Sequence, residues 1–342
     1  STILGGYEDY IDMLDDLYDS AMKVKRKMLN EGFLEFTSDE VKFFFENNNI
    51  IDIKERHQGK AEELIEFLML LHNMCMTDYF MKNNLPFISR FHDKPNDEKI
   101  CTWINLLKKK GYKININKKK DFTAEDIKRV QEVYKDAKEK VIYDKMAIMG
   151  QSKAKYSSCN VGHFALGMGA YSTGSPIRRI ADTINQRILN DAITKGVDYA
   201  RRKWEKITPL IAKIATSSEL RAIKAERKLD DIRKAEFMKQ YEKQYFDVMV
   251  AGIYDNYLLV LYPDKMVYGK VFFNRSYYHV NKDGCSIYSD KGEKIFIGDT
   301  FNAKLLNVNT MTGEVVFFKD TKVIKEFYGN EEKKGKKKVK SR

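Results

Sequence analysis

Apolar residues recur every three or four positions over 8–29, where Ile11, Leu14, Leu17, Ala21, Val24 and Met28 share one face, and this spacing predicts a helix. Asp12, Asp15, Asp16 and Asp19 fall mostly off that stripe, as a solvated face requires. The stretch "GFLEFTSDEVKFFFENNNIIDIKER" (32–56) reads as two short strands joined by a turn. From 60 to 82 a nearly all-apolar run predicts a helix buried on almost every side, followed by the proline-punctuated "NLPFISRFHDKP" (84–95). Two further helices fit 97–111 and 123–148, the second turning Ile127, Val130, Tyr134, Ala137, Val141 and Ile142 inward.

A Gly- and Ser-rich stretch at 151–175 leads into "TGSPIRRIADTINQRI" (173–188). Here Ser175 can cap a helix and Pro176 suits its first position, with Ile177, Ile180, Ala181, Ile184 and Ile188 as a buried stripe. Another helical region fills 198–243, broken near Pro209 and restarted by a capping box of Thr216 with Glu219. The pattern changes at Tyr245 to short strands punctuated by Gly, Asn and Asp, the signature of a small β-barrel. The expected architecture is α+β: a mixed helix-and-strand part over 1–243, a barrel over 244–322, and a basic, disordered tail over 323–342.

Composition narrows the partners. The 342 residues carry 61 Lys and Arg against 49 Asp and Glu, a net charge of +12 that favours a polyanion. Twenty Tyr and twenty Phe sit among those cations, a mixture suited to bases and phosphates together. Cys75, Cys101, Cys159 and Cys285 are scattered without metal-ligand spacing, so four reduced thiols in a cytoplasmic protein are expected. The most apolar run, "LIEFLMLL" (64–71), contains Glu66 and is far too short to span a bilayer, so no membrane partner is expected. The chain opens "STILGGY" without an initiator Met, a hint that residues once preceded it.

Arg178 and Arg179 raise the first chemical question. On this reading they occupy the first turn of a helix, where the dipole favours anions rather than cations. Arg178 can bridge Asp182 on the surface, for a few tenths of a kcal/mol, or the pair can clamp a phosphate with bidentate guanidinium donors. Glu66 shares a thin polar strip with Glu62, Glu63 and Asn73. Such a carboxylate is either paired internally or holds a ribose hydroxyl. In the barrel, Tyr257, Phe272, Phe273, Tyr277 and Tyr278 are candidates for stacking on bases. Alternation puts one member of each neighbouring pair in the core and the other outside, without deciding which. The five histidines show neither zincin nor triad spacing and are given no catalytic role.

"GHFALGMGAYSTGSPIRRIADTINQRIL" (162–189) resembles the signature of the ribonuclease II / ribonuclease R exoribonucleases. "GFLEFTSDEVKFFF" (32–45), "ELIEFLMLLHN" (63–73), "LPFISRFHDKP" (85–95) and "SELRAIKAERKLDDIRKAEFM" (218–238) are similar to that family's segments, in order and at fitting spacing. Residues 245–320 look like its terminal S1 domain, an OB-type barrel, so the part before it corresponds to an RNB-type nuclease domain. The resemblance implies processive 3′-to-5′ hydrolysis of single-stranded RNA with two divalent ions, Mg2+ in the complete enzyme. By position, Arg178 corresponds to the arginine that neutralises the attacked phosphate, and Phe36 to an aromatic against the terminal bases. Glu66 corresponds to a carboxylate on the terminal ribose, and Glu226 to an acid near the RNA 3′ end. Arg179, Tyr257 and Phe272 complete the expected RNA contacts.

There are departures. Gly174 stands for the usual Thr, Phe67 for a Glu and His72 for an Ala, and the stretch from Tyr171 to Gly174 is one residue short. The family's metal-binding aspartate cluster has no counterpart, and the acidic helix at 8–19 is not that motif. The chain is therefore expected to be the later part of such an enzyme, inactive by itself, with its metal ligands on an upstream segment or partner chain. The alternative is a non-catalytic RNA-binding or regulatory relic of the same fold.

Overall fold

Helix α1 (Ile11–Asn30) follows a 3-10 turn at Glu8–Tyr10 and occupies the stretch its apolar spacing marks out. The structure, a computed structural model, describes residues 6, 8–36, 40–56, 58–117, 120–159, 162–167, 169, 171–172 and 174–319. The tail expected at 323–342 and His57 lie outside the described residues. Next come the strands β1 (Val41–Glu46) and β2 (Asn49–Glu55), paired antiparallel. Asn47 and Asn48 between them take positive φ, 48° and 66°, the backbone of a tight hairpin turn that Asn tolerates. Helix α2 (Lys60–Lys82) packs on α1, where Ala21, Met28, Phe33, Phe67, Leu70 and Tyr171 form a small core.

β3 (Ser89–Phe91) pairs antiparallel with the distant β4 (Lys155–Ser157), and α3 (Asp97–Lys109), α4 (Ala124–Val133) and α5 (Lys140–Gly150) lie between them in the chain. Asn96 caps α3 by accepting the Lys99 N–H, and Thr123 with Asp126 forms a capping box on α4. Then follow α6 (Ile180–Lys195), α7 (Val197–Trp204) and the long α8 (Thr208–Lys239). A second core joins the end of α2 to α6, α7 and the start of α8 through Phe80, Ile88, Ile188, Ala200 and Trp204.

From Tyr245 the described residues are mostly β, with one 3-10 turn at Pro263–Lys265. β5 (Tyr245–Ile253), β6 (Tyr257–Tyr262) and β7 (Val267–Phe272) form a meander. A separate three-stranded sheet of β8 (Tyr278–Val280), β9 (Ser286–Ser289) and β10 (Lys294–Phe296) follows. β11 (Thr300–Asn309) and β12 (Glu314–Phe318) then close a five-stranded barrel in the order β11-β12-β7-β6-β5, with β12 parallel to β7. The largest apolar cluster is continuous from Trp103, Tyr134 and Tyr143 of the helical part into Val248, Leu261 and Phe317 of the barrel. Lys109 pairs with Asp283 and Lys110 with Asp299 across that seam.

Three expectations need correction. Helix α2 is packed on one side only: Phe67, Leu70, Asn73, Met76, Thr77 and Phe80 are buried, whereas Ile65 is 59% exposed and Leu71 and Met81 are exposed too. The 123–148 helix is two helices, α4 and α5. Asp144 on α5 is wholly buried and takes the Tyr134 hydroxyl at 2.8 Å and the Lys140 ammonium, tying α5 to the residue that ends α4. Finally, α8 does not restart at Thr216. That hydroxyl donates to the Ala212 C=O at 3.0 Å and accepts the Tyr156 N–H at 3.0 Å, fastening β4 to mid-helix.

Candidate nucleic-acid interface

The packed side of α2 carries polar groups, and these build the site. Asn73, 6% exposed, donates through Nδ2 to the Tyr171 hydroxyl at 2.7 Å. Thr77 donates to the Asn73 C=O and accepts the Ser172 N–H, both at 2.7 Å. From the other side Asn185 of α6 bonds Ile88 N–H and C=O at 2.8 Å and the Ser172 hydroxyl at 3.0 Å. Asp182, wholly buried, accepts the Ser175 N–H at 2.6 Å. Buried polar groups are costly unless bonded, so Tyr171, Ser172 and Ser175 are clamped between two helices. Gly174 lies so close to α2 that a Cβ would sit 2.7 Å from Asn73 Oδ1 and 3.0 Å from His72 Cδ2. Glycine is required there by space.

Beyond this clamp the chain turns sharply. The Ser175 C=O accepts the N–H of Arg178 at 3.3 Å and of Arg179 at 3.1 Å, and Thr183 Oγ1 donates to the Pro176 C=O at 2.8 Å. Helix α6 therefore starts at Ile180 with Arg179 in the N-cap position, not at Ser175 and Pro176. Ile177 is fully exposed and Ile180 is 48% exposed, so the buried stripe begins only at Ala181. The two arginines precede the helix instead of opposing its dipole inside the first turn. The surface bridge from Arg178 to Asp182 gives way as well, because Asp182 points inward to Ser175. Arg178 is exposed, and among the described residues no hydrogen bond or ion pair holds its guanidinium. Arg179 is half-buried, and its charge acts on Tyr156 and Tyr171.

Glu66 lies two helical turns before Asn73 on α2. It is half-buried and has no ion pair among the described residues. Burial raises its pKa, Glu35 and Glu63 add to the rise, and Lys25 opposes it. Phe36, next to Glu35, is half-buried against the large apolar cluster. Arg90, whose N–H donates to the Tyr171 C=O at 2.7 Å, pairs with Glu219 of α8 at 2.8 Å and lies over the Tyr156 ring at 5.7 Å. Burial pushes the Tyr156 hydroxyl up to about 12. His92 and His163 stack at 5.2 Å, each with a buried Nδ1 that has no partner among the described residues. Burial, then His92 and Arg90, bring the His163 pKa down to about 3, so the pair is neutral. Glu226 is exposed on α8, two turns beyond Glu219, and its charge helps raise the pKa of Asp230, for which burial is the first cause.

On the barrel, Tyr257 and Phe272 are cross-strand partners with rings 5.9 Å apart, both half-exposed, while Leu258 and Phe273 are buried. Of Tyr277 and Tyr278, the first is the exposed one. Tyr254 stacks on Tyr257 at 4.7 Å with planes 10° apart. Lys270 sits over the Tyr257 ring at 5.1 Å and pairs with Glu314 at 2.6 Å.

Glu66 thus lies on α2 and Gly174 packs against it, Arg178 and Arg179 sit on the turn that follows Gly174, and Tyr257 and Phe272 are neighbours on the barrel. The contributions of Tyr171, Arg90, Glu219 and Tyr254 were missed by sequence reasoning. Only Asn73 had a signal, its place on the polar strip of α2. No three His, Cys, Asp or Glu side chains come together as a metal site among the described residues. Asp12, Asp15, Asp16 and Asp19 are exposed along α1. The oxygen-ligand set that Mg2+ needs does not fit the described residues.

Comparison with known proteins is consistent across sequence and fold. Ribonuclease R of Thermotoga maritima is 29% identical over 320 residues, covering 91% of this chain and 45% of that protein. Ribonuclease R 1 of Lactococcus lactis is 26% identical over 294 residues, covering 84% of this chain and 36% of the relative. The chain therefore spans less than half the length of these relatives. Mycoplasma genitalium RNase R, solved in complex with ribose-methylated single-stranded RNA, superposes with a TM-score of 0.85 over 93% of this chain and 51% of that one, at 19% identity. The RNB domain family matches residues 4–195, more than half of the 342-residue chain. The chain belongs to the RNB-domain family, that of the ribonuclease II and ribonuclease R exoribonucleases.

Proposed function

We propose that this chain supplies the RNA-gripping side of a processive 3′-to-5′ exoribonuclease acting on single-stranded RNA. One observation carries the reading. The turn bearing Arg178 is held by buried hydrogen bonds from α2 and α6, yet it ends in an exposed guanidinium that no described residue engages. Such a group meets charge building on the non-bridging oxygens of a phosphate, where a preorganised donor contributes about 3–4 kcal/mol. Arg179 flanks it. Glu66, desolvated and without a cation of its own, accepts hydroxyls of the terminal ribose, which lets the site separate RNA from DNA. Phe36 stacks on the terminal bases, and Glu226 lies by the RNA 3′ end.

The closed five-stranded barrel is assigned to the S1 class of OB folds, with Tyr257 and Phe272 as its stacking platform. The capture of M. genitalium RNase R with single-stranded RNA supports the substrate class. The ions, when bound, generate the nucleophile. Their ligands are assigned to a segment or chain carrying an aspartate cluster. The exposed apolar face of α1, with Tyr10, Ile11, Met13, Leu14 and Leu17, suits such a partner. The assembly is placed in the cytoplasm, where its four cysteines stay reduced.

The purified 342-residue chain is expected to bind single-stranded RNA with an affinity that falls steeply with salt, and to leave it intact in Mg2+. Magnesium-dependent release of mononucleotides by this chain alone contradicts the assignment of the metal ligands elsewhere. A non-catalytic relic is favoured instead if no aspartate-rich nuclease block is encoded immediately upstream, in the same or a neighbouring frame.

A further inference from the structure

We propose that Lys25 is the positioning residue that brings Phe36 and Glu66 into one pocket for the terminal nucleotide, a role that rests on the nucleotide contacts proposed above for those two residues. Lys25 Nζ lies 3.0 Å from Glu35 Oε1 and 2.8 Å from Glu63 Oε1. It thereby joins three separate pieces of chain: α1, the segment 33–36 and α2. Each carboxylate it holds is a neighbour of a candidate contact. Glu35 immediately precedes Phe36, and Glu63 lies three residues before Glu66, on the same side of the helix. The ammonium lies 5.5 Å from the Phe67 ring centroid, and the Tyr18 hydroxyl donates to Glu63 at 3.2 Å from the far side.

Without Lys25, three carboxylates would oppose one another where α2 meets the 33–36 segment. Like charges at that range push the segment off the helix, and Phe36 leaves with Glu35. Partial burial keeps the Lys25–Glu63 bond from being screened as fully exposed pairs are, with side chains 22% and 27% exposed, whereas Glu35 is 52% exposed. The ammonium is spent on Glu35 and Glu63, so Glu66 keeps its oxygens for a ligand. The Lys25 bond holds Glu63 below the usual carboxylate range, whereas burial raises Glu66.

The test compares binding of a short labelled single-stranded RNA with the same strand carrying a 2′-deoxyribose at its 3′-terminal nucleotide, on the full chain. Wild type is expected to prefer the ribose end about tenfold, as a hydrogen bond to a charged group implies. Lys25→Met should shrink that preference to within about twofold, Lys25→Arg should keep it, and Glu35→Gln should reduce it, since each of these bonds is charge-assisted. Glu35→Gln alters only a half-exposed carboxylate, so it answers the question if Lys25→Met fails to fold. A folded Lys25→Met or Glu35→Gln that retains the whole preference overturns the role of Lys25. So does a loss of affinity equal for both strands. If Glu66→Gln alone abolishes the preference in that case, the reading of Glu66 survives without that of Lys25. A wild type that does not distinguish the two ends removes both.

Discussion

The Arg178 turn and the outer face of the barrel both set cations beside aromatic rings, in opposite physical settings. The turn is clamped by buried Asn73, Thr77, Asp182 and Asn185, and it has no slack where Gly174 meets α2. The barrel platform of Tyr254, Tyr257 and Phe272 is a ladder on exposed strands, with Lys270 laid over one ring. A clamped group can be complementary to a fleeting charge distribution, whereas an open ladder accepts any base that slides past. In the proposed function the turn serves chemistry and the barrel serves grip.

That separation can be broken by mutation, and the largest effect is expected at the turn. In an enzyme reassembled with its metal-bearing part, Arg178→Ala should lower turnover about 100- to 1,000-fold while RNA affinity changes little. Single-turnover rates and equilibrium binding on the same sample check both halves of the statement. At the barrel the pattern should reverse: Tyr257→Ala or Phe272→Ala each weakens RNA binding by about 1–3 kcal/mol and leaves the rate at saturating RNA nearly unchanged. Gly174→Ala should destabilise the folded chain by about 1–3 kcal/mol in urea unfolding, because its Cβ meets Asn73, which Tyr171 pins.

The smallest effect, taken per pH unit, is a pH dependence. His163 titrates near 3 when folded against 6.5 when unfolded, so the unfolded chain binds the proton first. Its contribution is complete above 6.5 and is lost as pH falls from there toward 3, by up to about 1.4 kcal/mol per pH unit. Urea midpoints measured for wild type and His163→Phe across that window check it, with a shallower slope expected in the variant.

Much of the fold was legible because its signals are local. The β1–β2 hairpin declares itself through the Asn pair, and α1 through its apolar spacing. The barrel shows in the switch to short strands at Tyr245. Three of the misreadings share a cause: a polar partner beyond the next helical turn overruled a local cue. Asp182 takes the Ser175 N–H that was expected to open a helix, and Asp144 takes the Tyr134 hydroxyl where one continuous helix was expected. Thr216 bonds Tyr156 instead of starting a new helix. The site divides in the same way. Arg178, Glu66 and Tyr257 are visible as residue types in a pattern, whereas the Asn73–Tyr171 bond joins positions 98 residues apart, and no periodicity reports it.

The account stands on the 3′ end of RNA lying against the Arg178 turn instead of on the barrel. Single-stranded RNA with a photoreactive thiouridine at its 3′-terminal position, crosslinked to the chain and mapped by mass spectrometry, tests this directly. Adducts within 33–36, 66–74 or 171–179 are the predicted result. Adducts confined to the barrel strands β5 to β7 would contradict it.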